Sequence, residues 1–141
     1  MNELIVNTAR TWIGTPYRHQ AATRGAGCDC LGLLRGLWRE LYGAEPELLP
    51  AYTPDWDEVA QADVLMAAAR RHLEPQEVSE IEPGDVVLFR MRSDAVAKHL
   101  GIVSGPASFI HAYAGHGVIE NALSAPWRRR IVGVYSFPAQ D

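Results

Sequence analysis

Lysine is almost missing from this chain. Of its 13 lysines and arginines Lys98 is the one lysine, and 17 acidic residues leave a net charge of −4 over 141 residues. That acidic balance excludes a polyanion such as DNA as the main partner, so no nucleic acid is expected. Long apolar runs are missing too. Nothing approaches the roughly 20 residues that cross a bilayer, so no membrane insertion is expected. The first residues lack a basic start and a small-residue cleavage site, and Leu4-Ile5-Val6 is their whole apolar run. The expectation is synthesis in the cytoplasm without a signal peptide. With no repeat and no low-complexity linker, a single domain over 1–141 is expected. Cysteine is scarce: Cys28 and Cys30 stand one residue apart. A disulfide closing so small a loop would be strained and would constrain almost nothing. Two thiols this close point to chemistry or a metal rather than a staple.

What remains is ordinary globular material, 48% apolar and 21% charged. Residues 3–13 set Ile5, Ala9, Trp12 and Ile13 at helical spacing, with Asn2 as N-cap and Gly14 closing the run. Residues 18–27 are polar and aperiodic, a loop. A second helix is expected over 29–42, with Asp29 as N-cap, Gly43 beyond its end and Leu33, Leu34, Leu37, Trp38 and Leu41 on a wide apolar face. Gly32 and Gly36 lie one turn apart inside it. Each costs about 1 kcal/mol against alanine, so close approach of another backbone or of substrate is expected to compensate. A proline-bearing loop over 44–55 and a third helix over 56–73, closed by Pro75, follow. Beyond Pro83-Gly84 the period becomes that of strands, expected at 85–90, 99–103, 108–113, 117–121 and 131–137. Helices first and an antiparallel sheet second is the pattern of an α+β domain.

Cys30 would open the second helix at the positive end of its dipole, where a thiolate is favoured and the cysteine pKa lowered. The bland alternative is a small buried hydrophobe at a helix start. His99 and His111 fall on adjacent strands. If Ser104-Gly105-Pro106 is a three-residue hairpin loop, Val103 pairs with Ala107 and His99 stands opposite His111, with Cβ atoms about 4.5–5.5 Å apart. That spacing permits a base, His99, oriented by a second polar group, His111. Two unrelated half-exposed histidines are the alternative. Tyr17 either offers a phenolic donor near the thiol or packs on the second helix. Asp29 caps that helix and can also meet a substrate amine. His19, His72 and His116 read as surface residues. Cys28, Cys30, His99 and His111 are four suitable zinc ligand types, but Cys-x-Cys lacks the two-to-four-residue gap of structural sites, and no metal is expected.

Five segments occur in one order: Trp12-Ile13-Gly14-Thr15-Pro16-Tyr17, Asp29-Cys30-Leu31-Gly32, Pro83-Gly84-Asp85-Val86-Val87-Leu88-Phe89, His99-Leu100-Gly101-Ile102-Val103 and Phe109-Ile110-His111-Ala112. Together they resemble the NlpC family of bacterial and phage cell-wall peptidases, from about residue 9 to residue 137. The resemblance implies a papain-like α+β fold, with N-terminal helices on an antiparallel sheet of about five strands. It implies a cysteine peptidase without cofactor that hydrolyses peptidoglycan stem peptides, typically at the γ-D-glutamyl–diamino acid bond. By position Cys30 matches the nucleophile, His99 the base, His111 the orienting residue and Tyr17 the tyrosine over the site. The Cys30 backbone N–H would help to hold the oxyanion. Cys28-Asp29-Cys30-Leu31-Gly32 and a middle helical insertion over about 44–75 look like the branch encoded among tail genes of phages and phage-like gene transfer agents. That likeness implies tail or baseplate proteins as partners, and action in the periplasm or cell wall from a phage-like particle. A structural tail-tip protein with dispensable catalysis is the alternative. Two departures bear on substrate choice: Leu31 where the family usually has serine, and His19-Gln20-Ala21-Ala22 where a glycine pair often follows the tyrosine.

Overall fold

Ile5, Val6 and Ala9 recur on one side of α1 (Asn2–Arg10), the first helix of the computed structural model, which describes residues 2–45, 64–90 and 97–139. Asn2 lies inside this helix rather than capping it. After a turn, Gly14 adopts φ 96°, a left-handed conformation that glycine takes without strain. A short hairpin, β1 (Ala22–Thr23) and β2 (Gly27–Cys28), stands where a plain loop was expected. Helix α2 (Cys30–Tyr42) follows with the expected boundaries: Asp29 caps its start, and the Gly43 N–H closes its end on the Arg39 carbonyl. Of the expected third helix the structure shows α3 (Val64–His72). The stretch 46–63, with most of the expected insertion, lies outside the described residues.

Among the described residues the sheet has six strands, where about five were expected. They are β3 (Glu74–Gln76), β4 (Val86–Arg90), β5 (Ala97–Gly105), β6 (Ser108–Tyr113), β7 (Gly117–Ala122) and β8 (Ile131–Ser136), in the order β3-β8-β4-β5-β6-β7. Every pairing is antiparallel. The strand that the sequence hid is β3. It is three residues long with Pro75 at its centre, and it survives because an edge strand tolerates a missing N–H. A one-turn helix, α4 (Ala125–Arg128), joins β7 to β8.

Strand alternation divides the core in two. On the face covered by the helices, Val86, Leu88, Leu100, Ile102 and Ile110 pack with Ile5, Leu33 and Leu37. On the other face, Val87, Phe89, Val103, Phe109 and Val134 pack under Leu123 and Trp127. The β5–β6 hairpin turns more tightly than expected. Ile102 pairs with Ile110, Val103 with Phe109 and Gly105 with Ser108. The register therefore moves by two residues from the expected Val103–Ala107 pairing, and an even shift keeps His99 and His111 on one face.

Candidate active site

Asp29 turns the chain into α2. It sits outside the helix at φ −103°, ψ −172°, and its Oδ1 accepts the Gly32 N–H at 2.7 Å. Oδ2 accepts the Gln20 N–H at 2.7 Å, so one buried carboxylate both caps the helix and pins the loop before it. Gly32 makes this possible, because a Cβ there would stand 1.8 Å from the Ala21 carbonyl oxygen. That is the expected close approach of another backbone. At Gly36 the approach is made by the Trp12 ring instead, with Cη2 2.1 Å from where a Cβ would lie. Tyr17 bridges to Cys28, and the Cys28 N–H donates to the Pro16 carbonyl at 3.0 Å. Gly14 and Thr15 are tied in turn to Val118 of β7. The Tyr17 segment thus laces the start of α2 to the far edge of the sheet.

Cys30 opens α2 and is 5% exposed. Its thiol lies against the backbone N–H groups of Leu100 and Leu31. Leu100 follows His99 on β5, so the helix start and the histidine strand meet at that point. His99 Nε2 and His111 Nδ1 are 2.7 Å apart in a buried contact. Extending the observed register sets Gly101 across from His111, so no β5 side chain stands between the two rings. A Cβ at Gly101 would also strike Phe109 Cδ2 at 2.6 Å. Among the described residues no hydrogen bond joins the thiol to either histidine. The structure brings the thiol to the histidine strand, and the histidines to each other.

Two neighbours of the pair escaped the sequence reading. His111 Nε2 lies 2.6 Å from Asn121 Oδ1. The signal for it was available: Phe109 pairs with Asn121 and His111 with Ile119, so alternation alone puts Asn121 on the histidine face. Trp127 on α4 stands edge-on to His111 with ring centroids 5.3 Å apart, and 5.9 Å from His99. No strand period points to it. The histidines read as surface residues also have neighbours. His19 Nδ1 is 3.8 Å from Asp29 Oδ2, His116 stacks on Tyr113, and His72 meets Trp38 edge-on.

Burial decides how the site titrates. It pushes the Cys30 thiol up to about 12, with the Asp29 carboxylate adding to the rise and the N–H groups of Leu100 and Leu31 opposing it. This reverses the lowering expected at a helix start, because lost solvation outweighs the dipole's fractional charge. Cys28 is likewise raised to about 12 by burial and Asp29. Tyr17 rises to about 12 through burial and then the nearby Cys30, Asp29 and Cys28. His99 falls to about 3, by burial first and His111 second. Burial also lowers His111, against the Asn121 bond and with His116 adding to the fall. Burial thus keeps both the thiol and the imidazole pair neutral at rest, a state suited to general-base activation rather than a standing ion pair. Among the described residues no group of three or more His, Cys, Asp or Glu is arranged to hold a metal ion, and no helix is long and apolar enough to cross a membrane. An open depression of about 350 Å³, lined by Arg18, His19, Gln20, Thr23 and Gly27 among others, adjoins the loop that Asp29 holds.

Comparison with known proteins gives this geometry a setting. A model of the NlpC/P60 family matches residues 14–136. The chain is 32% identical over 127 residues to the murein DD-endopeptidase MepS/murein LD-carboxypeptidase of Escherichia coli (strain K12), covering 89% of this chain and 57% of that protein. It is 29% identical over 134 residues to the gamma-DL-glutamyl hydrolase of Bacillus subtilis (strain 168), covering 94% of this chain and 29% of that protein. The chain therefore spans 57% of the first relative's length and less of the second's. NlpC1 from Trichomonas vaginalis superposes with a TM-score of 0.72 at 22% identity, over 99% of this chain and 45% of that one, a likeness of fold.

Proposed function

The chain belongs to the NlpC/P60 family, and from that premise we propose that it is a cysteine endopeptidase hydrolysing peptidoglycan stem peptides. The observation that carries the reading is the buried 2.7 Å contact between His99 of β5 and His111 of β6, with the N–H of Leu100, next to His99, against the Cys30 thiol. In this reading His99 takes the thiol proton as the Cys30 sulfur attacks the scissile carbonyl. The helix start leaves the Cys30 backbone N–H without a helical acceptor, and it donates to the oxyanion. His99 returns the proton to the leaving amine, and a water then hydrolyses the thioester with His99 again as base. His111 orients His99. Tyr17, neutral up to about 12, is a donor over the site at any ordinary pH. Asp29 holds the helix start and stands beneath the place of a substrate amine.

The bond proposed is that from γ-D-glutamate to a diamino acid, supported by the resemblance and by the name of the Bacillus subtilis relative. The depression beside Gln20 lies where the glycine pair is replaced, which supports a role for that loop in choosing the peptide. The Cys28-Asp29-Cys30-Leu31-Gly32 stretch supports a phage-like or gene-transfer-agent tail as the setting. There the single domain would open the wall locally beside tail or baseplate proteins. Incubating the protein with purified sacculi and analysing released muropeptides by mass spectrometry tests the reading. Cys30→Ala is expected to lose activity by about 1,000-fold or more with an unchanged circular dichroism spectrum. Undiminished release by that variant would sink the proposal. One observation favours a second reading, a structural tail-tip protein: the thiol is neutral and not bonded to its base. Cys30→Ala particles that deliver DNA normally would favour it.

A further inference from the structure

We propose that Asn121 is a positioning residue that sets the proton pattern of the histidine pair, so that His99 keeps a bare Nδ1 free to act as a base. The inference rests on the peptidase reading for its purpose, but its geometry stands alone. Asn121 Oδ1, 2.6 Å from His111 Nε2, is an acceptor without a proton to give. His111 Nε2 must then carry the hydrogen of that ring. A neutral imidazole carries one ring hydrogen, so His111 Nδ1 is bare and accepts across the 2.7 Å contact from His99 Nε2. His99 has then spent its own hydrogen at Nε2, and its Nδ1 lone pair is left over. A base that is to receive the Cys30 proton needs that lone pair. With the opposite pattern the hydrogen would sit on Nδ1 of both rings, and His99 would present a donor where an acceptor is required.

Burial makes the chain of bonds obligatory. His111 is 0% exposed, so an unpaired ring nitrogen there would cost the full desolvation penalty. The titratable groups facing His111 are His99 on β5, Tyr113 on its own strand and His116 in the following turn. Trp127 closes the remaining side without a charge of its own, although Arg130 lies over its ring at 5.7 Å. Among the described residues it is Asn121 Oδ1 that bonds His111 Nε2, and the amide oxygen thereby fixes the direction of the relay.

Ring-nitrogen NMR on the intact protein at pH 7 reads the tautomers directly, and two variants test their origin. The unaltered chain is expected to show both rings protonated at Nε2. In Asn121→Leu, His99 is expected to lose its single tautomer, and kcat to fall about tenfold with KM unchanged, the equivalent of one hydrogen bond. Asn121→Asp keeps an acceptor at the same place, so the pattern should return at high pH. Its carboxylate also stabilises the His111 imidazolium, whose Nδ1–H would force His99 into the wrong tautomer. The acid limb of the kcat profile should therefore move up by about one pH unit or more. This isosteric variant serves even if Asn121→Leu folds poorly. His111 protonated at Nδ1 in the unaltered chain would overturn the proposal, as would an unmoved acid limb in Asn121→Asp. A protein that shows the expected tautomers yet cuts no peptide would overturn the peptidase reading and leave this assignment supported.

Discussion

Cys30 shows how far a single residue can be judged from its neighbours in sequence. Its place at the start of α2 is visible from Asp29 and the apolar spacing after it, and the helix-dipole argument then points to a lowered pKa. The structure reverses the direction, because the chain folds over the thiol and leaves it 5% exposed, and the N–H of the distant Leu100 only partly offsets the lost solvation. Desolvation is a tertiary quantity and has no local sequence mark. A measurable consequence follows for the resting protein. With both thiols raised to about 12, the thiolate fraction at pH 7 is minute. After allowing for the greater nucleophilicity of a basic thiolate, iodoacetamide should label Cys30 roughly 100-fold more slowly than a free thiol. Labelling should climb with pH well past 9, and Cys28, fully buried, should trail Cys30. Peptide mapping that finds rapid, selective Cys30 labelling below pH 7 would contradict this and would restore the ion-pair view of the site.

At the scale of elements, the start of α2 depends on a glycine that the sequence could flag but not explain. A Cβ at Gly32 would overlap the Ala21 carbonyl oxygen, which belongs to the backbone and cannot swing aside. Gly32→Ala should therefore cost about 2–3 kcal/mol despite alanine's better helix propensity. A urea midpoint unchanged from the parent would show that the loop yields freely. Helix α2 was legible from its cap, its apolar face and its C-terminal glycine, because those signals are local. The strands β4 to β8 were legible for the same reason. Three features were not. Strand β3 is too short to show a period and carries a proline. The β1–β2 hairpin is made by contacts to Tyr17 and Asp29 rather than by its own composition. The β5–β6 register depended on which residues form the turn, and the actual Pro106-Ala107 turn moved it by two. Parity saved the inference there: His99 and His111 stayed on one face, and they meet through the gap at Gly101.

For the whole molecule, the buried groups of the site set the pH range over which it holds together. Below that range the histidines govern. His99 has a folded pKa near 3 against an ordinary 6.5, and His111 is lowered as well. The unfolded chain therefore takes up these protons first, and stability that is full above about pH 6.5 is lost as the pH falls toward 3. Asp85 works the other way, since its burial raises its pKa and favours the folded state on acidification, whereas Glu45, which burial raises but Arg35 and Arg39 pull down further, adds to the loss at the acid end. Above the range the acids govern. Cys28 and Cys30 have folded pKa values near 12 against an ordinary 9, and Tyr17 is near 12 against 10. Here the unfolded chain releases its protons first, and stability is lost as the pH rises from about 9 toward 12. The melting temperature should hence form a plateau between about pH 6.5 and 9, with a fall on each side worth a few kcal/mol. Replacing the pair, as His99→Gln with His111→Gln, should flatten the acid side and leave the alkaline side in place. Differential scanning calorimetry across pH 4–11 decides it. An acid limb that persists unchanged in the double variant would assign the loss to carboxylates and remove the histidine pair as its cause.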